Sequence, residues 1–463
     1  MLNVSAEVRD AIISGQTENT LIIRVFNDLG YDTITEENIA SESMELRQTI
    51  CDTEKLTFGG AVASEFSIKL IGTENLTFAE SELVNNVLLL EGKRIEVILY
   101  QQYIGGDIYP SMTLYPSPTL YPGGAINYNN WVLFYGTVKS CERDVNDERL
   151  FTLTAYDPIN TLQKLNVNRK LRKKMINDQA TVNELLALAT NGISYDISEY
   201  RSSLLAFQFR NYAWEDEKRD DSNKTKLYAQ QLLRLVGEVN SGYTFYRPSD
   251  RKIHFTYIGS SVCGTEEYKV FESMQTDFKT SQNYVGMLFP YAGEISDRGQ
   301  SGWGKKTGYF VMSGSSETFT EVDDNFSELV EAQAYDMSGN ILAWDYSNSS
   351  GGGQTDLTKV RAIFTQQVGD GSTTGIDTET DYVPMALTVD GRPWVEVGDV
   401  VIVKRPARNI YGEFLDENGN TTENFEDAKM LEYKTRVLSR TLKGIKALTD
   451  IIEAKGMTQK HGI

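Results

Sequence analysis

The sequence predicts a mainly β protein with an α+β insertion, built from two small related β-barrels. Three observations carry this reading. Trp131 to Leu162 is a β-hairpin by its period of two, the spacing turns helical after Leu162, and the hairpin is echoed near the end of the chain. In the hairpin, Val132, Phe134, Gly136 and Val138 alternate with Leu133, Tyr135, Thr137 and Lys139. Asp144 to Asp147 reads as the turn, and Phe151, Leu153 and Ala155 then alternate with Thr152 and Thr154. Tyr156-Asp157-Pro158 ends the strand, because proline lacks the amide hydrogen a ladder needs.

The chain then divides as follows. Residues 1–20 read as an exposed arm, and residues 21–163 as the first barrel. Its strands are Thr20 to Phe26, a polar strand within Gly30 to Leu46, Phe58 to Leu70 with a bend at Gly59-Gly60, and Arg94 to Tyr100 after the Glu91-Gly92-Lys93 turn. Within it, residues 101–130 form a Tyr/Pro-rich loop. Tyr109-Pro-Ser-Met-Thr-Leu114 is repeated as Tyr115-Pro-Ser-Pro-Thr-Leu120 and followed by Tyr121-Pro122, with paired glycines at either end. Prolines bar a regular central strand, and tyrosine offers amphipathic contact area. Tyr109, Tyr115 and Tyr121 are therefore candidate partner contacts, the bland alternative being a loosely ordered loop.

Residues 164–262 read as an α+β middle domain. It opens with a basic run, Lys164, Arg169, Lys170, Arg172, Lys173 and Lys174, which is either a solvated connector or a salt contact with an acidic neighbour. Thr181 to Ala189 has helical spacing with a capping box at Thr181 and Glu184, and Gly192 stops it. A second helix spans about Lys226 to Val239, and Tyr243 to Tyr246 with Lys252 to Ile258 forms a hairpin around Arg247-Pro-Ser-Asp250. Residues 263–455 read as the second barrel, with a helical and loop insertion around 300–355 that includes Asn325 to Ala343 and the flexible Ser347 to Gly353. Residues 456–463 are a tail.

In the echo, Glu91-Gly92-Lys93, Tyr135 to Ser140, Leu153-Thr154 and Asp157 match Asp390-Gly391-Arg392, Tyr433 to Ser439 and Leu448-Thr449-Asp450, with nearly equal intervals between glycine and tyrosine. The barrel-forming strand residues are then Phe134, Val138, Phe151, Leu153 and Tyr156 in the first unit. In the second they are Val397, Val400, Ile402 and Val437, with Val395 also placed on a strand.

Composition narrows the function. A net charge of -20 over 463 residues repels phosphate and disfavours specific nucleic-acid binding; solubility explains the charge equally well. No apolar run is long enough for a membrane span, and no signal peptide is expected. Three scattered cysteines, Cys51, Cys141 and Cys263, fit a reducing compartment rather than a disulfide framework.

Enzyme signatures fall away. With only His254 and His461, no His-rich metal set is available, and His254 reads as a structural strand residue. Gly299 to Thr307 imitates a P-loop, but Lys306 stands where Ser or Thr must reach Mg²⁺. Asp416 to Asn420 begins like a calcium loop with its glycine two places early, and Asp427 replaces the bidentate Glu. Nothing among the 65 acids singles out a carboxylate pair. No catalytic residue, cofactor or metal is expected.

Glu42 to Leu46, Leu56 to Gly59, Phe134 to Ser140, Leu153 to Pro158, Trp394 to Val403 and Val437 to Gly456 resemble bacteriophage tail hub proteins. These are the central baseplate hub of contractile tails and the hub-like region of siphophage tail-associated lysins. The resemblance implies a homotrimer whose barrels form a pseudo-sixfold ring, a symmetry adaptor at the virion tail tip with an acidic lumen open to DNA. Its implied partners are the tail tube or distal tail ring, the C-terminus of the tape-measure protein, and tail-tip spike or fibre proteins. The alternatives are a tail-borne cell-wall glycosidase or peptidase, and a host receptor-binding module. Deleting Gly106 to Gly123 is expected to spare folding while weakening assembly with a tail partner in a pull-down; unchanged assembly overturns the contact role of the arm.

Overall fold

Burial alternates along the first strand, with Leu21, Ile23 and Val25 inside and their neighbours partly exposed. That alternation lets one face enter a core while the other meets solvent. The computed structural model describes residues 2, 4–13, 17–50, 60–73, 77–79, 87–105, 125–167, 179–198, 208–210, 228–239, 242–257, 265–269, 276–278, 286–297, 300–313, 316–322, 330–331 and 385–454. Helix α1 (Ala6–Ile13) precedes strands β1 (Thr17–Asn27), β2 (Gly30–Ile34), β3 (Glu45–Thr49), β4 (Gly60–Ala61), β5 (Glu65–Ile71), β6 (Thr77–Ala79), β7 (Val87–Leu89), β8 (Arg94–Gly105), β9 (Ala125–Arg143) and β10 (Leu150–Tyr156). The middle unit adds α2 (Ile159–Leu162), β11 (Gln179–Thr181), α3 (Val182–Ala189), β12 (Tyr195–Asp196), β13 (Gln208–Arg210), α4 (Ala229–Val239), β14 (Gly242–Arg247) and β15 (Lys252–Tyr257). After it come β16 (Thr265–Lys269), β17 (Thr276–Phe278), β18 (Gly286–Asp297), β19 (Gln300–Ser313), β20 (Ser316–Val322), β21 (Val330–Glu331), β22 (Met385–Asp390), β23 (Val400–Pro406), β24 (Phe414–Leu415), β25 (Thr421–Thr422), β26 (Met430–Arg436), β27 (Ser439–Lys443) and β28 (Thr449–Ala454).

The fold is mainly β, and no sheet closes into a barrel among the described residues. One eleven-stranded sheet runs β17-β22-β28-β27-β3-β5-β10-β9-β8-β1-β2, an open order that does not close on itself among the described residues. The link between the two halves is antiparallel pairing of β27 with β3, from Ser439 opposite Thr49 to Lys443 opposite Glu45. Residues of both halves, from Leu21 and Phe134 to Trp394 and Leu442, therefore pack into a single core. A second core, containing Ile159, Leu186, Leu232 and Phe255, belongs to the middle unit. Among the described residues, no helix is long and apolar enough to cross a membrane.

The halves repeat one hydrogen-bonded unit, in a register the sequence echo misses. In the first half, Gly92 has φ +76°, donates its N–H to Val138 O at 3.0 Å, and lets Val138 N–H return to Lys93 O at 2.9 Å. In the second, Gly398 has φ +87°, donates to Val437 O at 2.7 Å, and Val437 N–H returns to Asp399 O at 2.9 Å. Strand pairing then starts at Arg94 opposite Thr137 and at Val400 opposite Arg436. Gly92 thus corresponds to Gly398, not Gly391. Three residues past the shared valine, Cys141 faces Leu153 and Arg440 faces Ile452, so Asp157 and Asp450 are not equivalent.

Other expectations are also corrected. Residues 1–20 are not simply an exposed arm, because Val8 and Ala11 of α1 are buried and Leu2 N–H bonds Trp394 O at 2.9 Å. Val395 and Val397 lie in a buried connection, and Val437 in the buried link between β26 and β27, rather than on strands. Within the expected Asn325 to Ala343 helix, Val330–Glu331 is a strand beside Met287–Leu288. From Gln300 on, the P-loop imitation lies on β19 in the β18–β19 hairpin, with Lys305 opposite Ala292 and Lys306 opposite Tyr291. Asp416 spends its carboxylate on the N–H groups of Asn418 and Asn420, each at 2.8 Å, turning the β24–β25 hairpin. The Tyr109 to Tyr121 arm, Arg169, Lys170, Arg172, Lys173 and Lys174 of the basic run, Cys51, Cys263, Ser347 to Gly353 and the 456–463 tail lie outside the described residues.

Every residue from Gly391 to Val400 is buried, and two charges hold that segment in place. Arg440 Nε meets Asp450 Oδ1 at 2.7 Å and Nη2 meets Oδ2 at 3.0 Å, with side-chain exposures of 3% and 0%. The guanidinium also donates to the carbonyls of Arg392, at 2.7 Å, and Val395, while Asp450 Oδ2 accepts Arg392 N–H at 2.8 Å. Removing one partner strands the other in a dry interior. Asp450→Asn or Arg440→Met is expected to cost about 3–5 kcal/mol in urea denaturation, and the double change Arg440→Met/Asp450→Leu to cost less than either alone. Single variants as stable as the wild type would refute this account.

Candidate functional site: the clamp between the two halves

The β14–β15 hairpin turns at Pro248 to Arg251, and the φ of +57° at Arg251 is a left-handed conformation. Asp250 supports that turn by accepting Lys252 N–H at 3.1 Å and His254 Nε2 at 2.7 Å. His254 also stacks on Phe245, ring centroids 5.6 Å apart, which makes it a structural strand residue. The turn aims two arginines at different halves of the protein.

Arg247 forms a bidentate pair with buried Glu396, Nε to Oε1 and Nη2 to Oε2, both at 2.8 Å. Arg251 Nη2 reaches Glu96 Oε1 on β8 at 2.7 Å, and Arg24 Nη1 takes Glu96 Oε2 at 3.1 Å. The Arg251 guanidinium lies 4.5 Å from the centroid of Tyr135. The middle unit thus grips the second half through Glu396 and the first through Glu96. Backbone pairing reinforces the grip, since β14 runs parallel to β4 and Tyr243 OH donates to Val397 O at 3.3 Å. Gly398 is confined twice there, by its positive φ and by Tyr243 OH, which a Cβ would approach to 1.2 Å.

A second knot closes the far side of the Gly391–Val400 segment. Glu266 on β16 accepts Trp394 Nε1 at 3.0 Å and a bond from Arg392, and Arg9 of α1 approaches it at 3.4 Å. Arg9 also lies 5.8 Å from the Trp394 ring centroid, and Arg392 lies 3.9 Å from that of Tyr268. The N-terminal helix is therefore a strap over the junction.

Burial works against several of these acids. It pushes Glu396 up, but the bonds from Arg247, together with a second positive charge nearby, leave the carboxyl below its ordinary range. Asp399, whose carboxylate caps Glu396 N–H at 2.7 Å, is pushed up by burial to about 6. Asp157, at the exit from β10, is raised by burial to about 7 despite accepting N–H bonds from Ser64 at 2.7 Å and Ile159 at 2.9 Å. These acids fasten chain segments inside the fold.

Of the strand residues named from sequence, Phe134, Val138, Phe151, Leu153, Val397, Val400 and Val437 are buried, while Tyr156 and Ile402 are half-buried. Tyr156 OH donates to Glu65 at 3.2 Å. Sequence reasoning missed the clamp. Its signal was a lone acid in an apolar run, Ile95-Glu96-Val97 and Val395-Glu396-Val397.

Arg247→Met is expected to lower stability by about 3 kcal/mol and raise amide exchange in β14 and β15, with Arg251→Met costing less because its head is half-exposed. Unchanged exchange would dissolve the clamp. Asp157 and Asp399 ionise less readily folded than unfolded, where a carboxyl titrates near about 4. Their contribution is complete below that value and is lost as pH rises through about 6 and about 7. Stability should therefore decline across that window, and Asp157→Asn should flatten the slope; an identical slope in the variant would contradict it.

No protein-family model matches the chain, and no curated protein matches its sequence. Among solved structures it is similar to the 43 kDa tail protein of prophage MuSo2 from Shewanella oneidensis, at 11% identity and a TM-score of 0.44, over 95% of this chain and 100% of that one. A likeness at that score carries no inference about function.

Proposed function

We propose that this chain is a structural protein of a bacteriophage tail, a hub at the tail tip that assembles as a homotrimer. The observation that carries the reading is the repeated unit. One chain presents two copies of the same glycine-turn and strand pairing, at Gly92/Val138 and Gly398/Val437, within one core. Three such chains supply six like units, which matches a threefold tip to a sixfold tube. The resemblance in strand and turn residues points the same way.

An adaptor of this kind must hold its two units at a constant angle. The Arg247–Glu396 and Arg251–Glu96 pairs, with the shared β27–β3 ladder, supply that rigidity. In this reading one face meets the tail tube or distal tail ring, another meets the spike or fibre proteins, and the tape-measure C-terminus ends at the lumen. Net acidity lets DNA slide past without sticking. The role is geometric rather than catalytic.

Sedimentation, alone and with the distal ring protein added, is expected to show a trimer. A monomer under both conditions would overturn the hub reading. Zymography on purified cell walls should show no clearing; clearing would turn the assignment to a wall-degrading enzyme, and adsorption of the isolated protein to host cells would turn it to a receptor-binding module.

A further inference from the structure

The strands that meet at the junction are held by ladders, β1 to β8 from Thr17 opposite Tyr103 to Phe26 opposite Arg94, and β27 to β3 from Ser439 to Lys443. Helix α1 has no such ladder. It rests against β8 through the buried side chains of Val8 and Ala11, with Leu2, Val4 and Ile12 half-buried beside them. Leu2 N–H bonds Trp394 O at 2.9 Å, and Arg9 approaches Glu266 at 3.4 Å. Eight residues are too few for a helix to persist in water alone, so α1 depends on this seat.

The two sides of the Arg9–Glu266 contact need each other unequally. The Glu266 side chain is 2% exposed, yet it also accepts Trp394 Nε1 at 3.0 Å and a bond from Arg392. Both of those donors remain when α1 leaves, so the carboxylate is not stranded. Arg9 already has 33% of its side chain in water, and departure only completes its hydration. The clamp is different, because taking Arg247 away would leave Glu396 buried without its bidentate partner. The cost of a stranded charge therefore holds the clamp shut and does not hold the strap.

We propose that α1 is a detachable strap, which lifts from the junction as a unit and uncovers the Arg9 side of Trp394 while the clamp and the shared sheet stay closed. Trp394 has no exposed surface with the strap in place, and the Arg9 guanidinium lies 5.8 Å from its ring centroid. The lifted state gives up a small apolar patch and no ladder, so it is reached without global unfolding, as the least stable units of folded proteins are. Lifting stops where the β1–β8 ladder begins, at Thr17. An aromatic surface of the junction is thereby available only part of the time. The device belongs to the single chain and does not rest on the hub reading.

Native-state amide exchange of the wild-type chain tests it. The α1 amides should exchange about a hundredfold faster than those of β8 and β9, with little dependence on sub-denaturing urea, because lifting exposes little surface. Equal rates with an equal urea slope would mean that α1 opens only with the whole fold, and overturn the strap. Ala11→Cys, at a position 7% exposed and turned toward the seat, should react with a maleimide about a hundredfold faster than native Cys141 of β9, which is 6% exposed, when labelling is mapped by peptide mass. Labelling no faster than that of Cys141 overturns the proposal. Adding Arg9→Ala should speed labelling at position 11 while leaving the urea midpoint of the whole fold in place; a midpoint lowered as far as by Arg247→Met would make α1 part of the global fold and sink the idea.

Discussion

The buried Arg440–Asp450 pair is the constraint on which the rest of the structure depends. Its two side chains are almost without exposure, and their remaining hydrogen-bonding capacity goes to the backbone of Arg392 and Val395. A charge pair taken out of water is tolerable only when such additional bonds are made. Satisfying them forces the Gly391–Val400 segment into the interior. Trp394 is thereby set against Trp131, ring centroids 6.1 Å apart, which places the tryptophan that opens the early hairpin beside the late half.

Once that segment is inside, its outward contacts determine how the other parts meet. Glu396 faces the middle unit and is neutralised by Arg247; Trp394 and Arg392 face Glu266, which in turn receives Arg9 from the N-terminal helix. Each joint pairs a buried acid with an arginine, whose planar fork suits bidentate bonding in confined space. Hydrophobic packing alone is non-directional and would leave the angle between units loosely specified. Directional charge pairs remove that freedom, as the proposed role of holding two like units at a set angle requires. Of the acids raised by burial, Asp399 caps the backbone of Glu396 at one such joint, and Asp157 holds backbone N–H groups where the chain leaves β10.

Local features were legible. The β1 strand, the Trp131 to Tyr156 hairpin and the β14–β15 hairpin follow from alternation and turn residues acting over a few positions, and helices α3 and α4 from their spacing. The recurrence of a glycine turn and strand pair was visible too, but its register was not. Asp390-Gly391-Arg392 and Glu396-Val397-Gly398-Asp399 are both plausible turns by composition. Only the bonds to Val437 select the second as the counterpart of Glu91-Gly92-Lys93. Burial of the N-terminal helix escaped notice because eight residues with two inward apolar side chains make a weak signal.

By itself the sequence determined the β character of both halves, the α+β character of the stretch between them and an acidic surface, since each arises from neighbouring residues or from composition. The tertiary structure alone decided that the halves share one sheet and one core, and that Glu96 and Glu396 answer two arginines of the same hairpin. Those pairings join residues 155 and 149 positions apart in the chain. Nothing in local spacing encodes such a meeting; it follows from the cost of leaving a buried charge unpaired, which is felt only once the chain has closed around it.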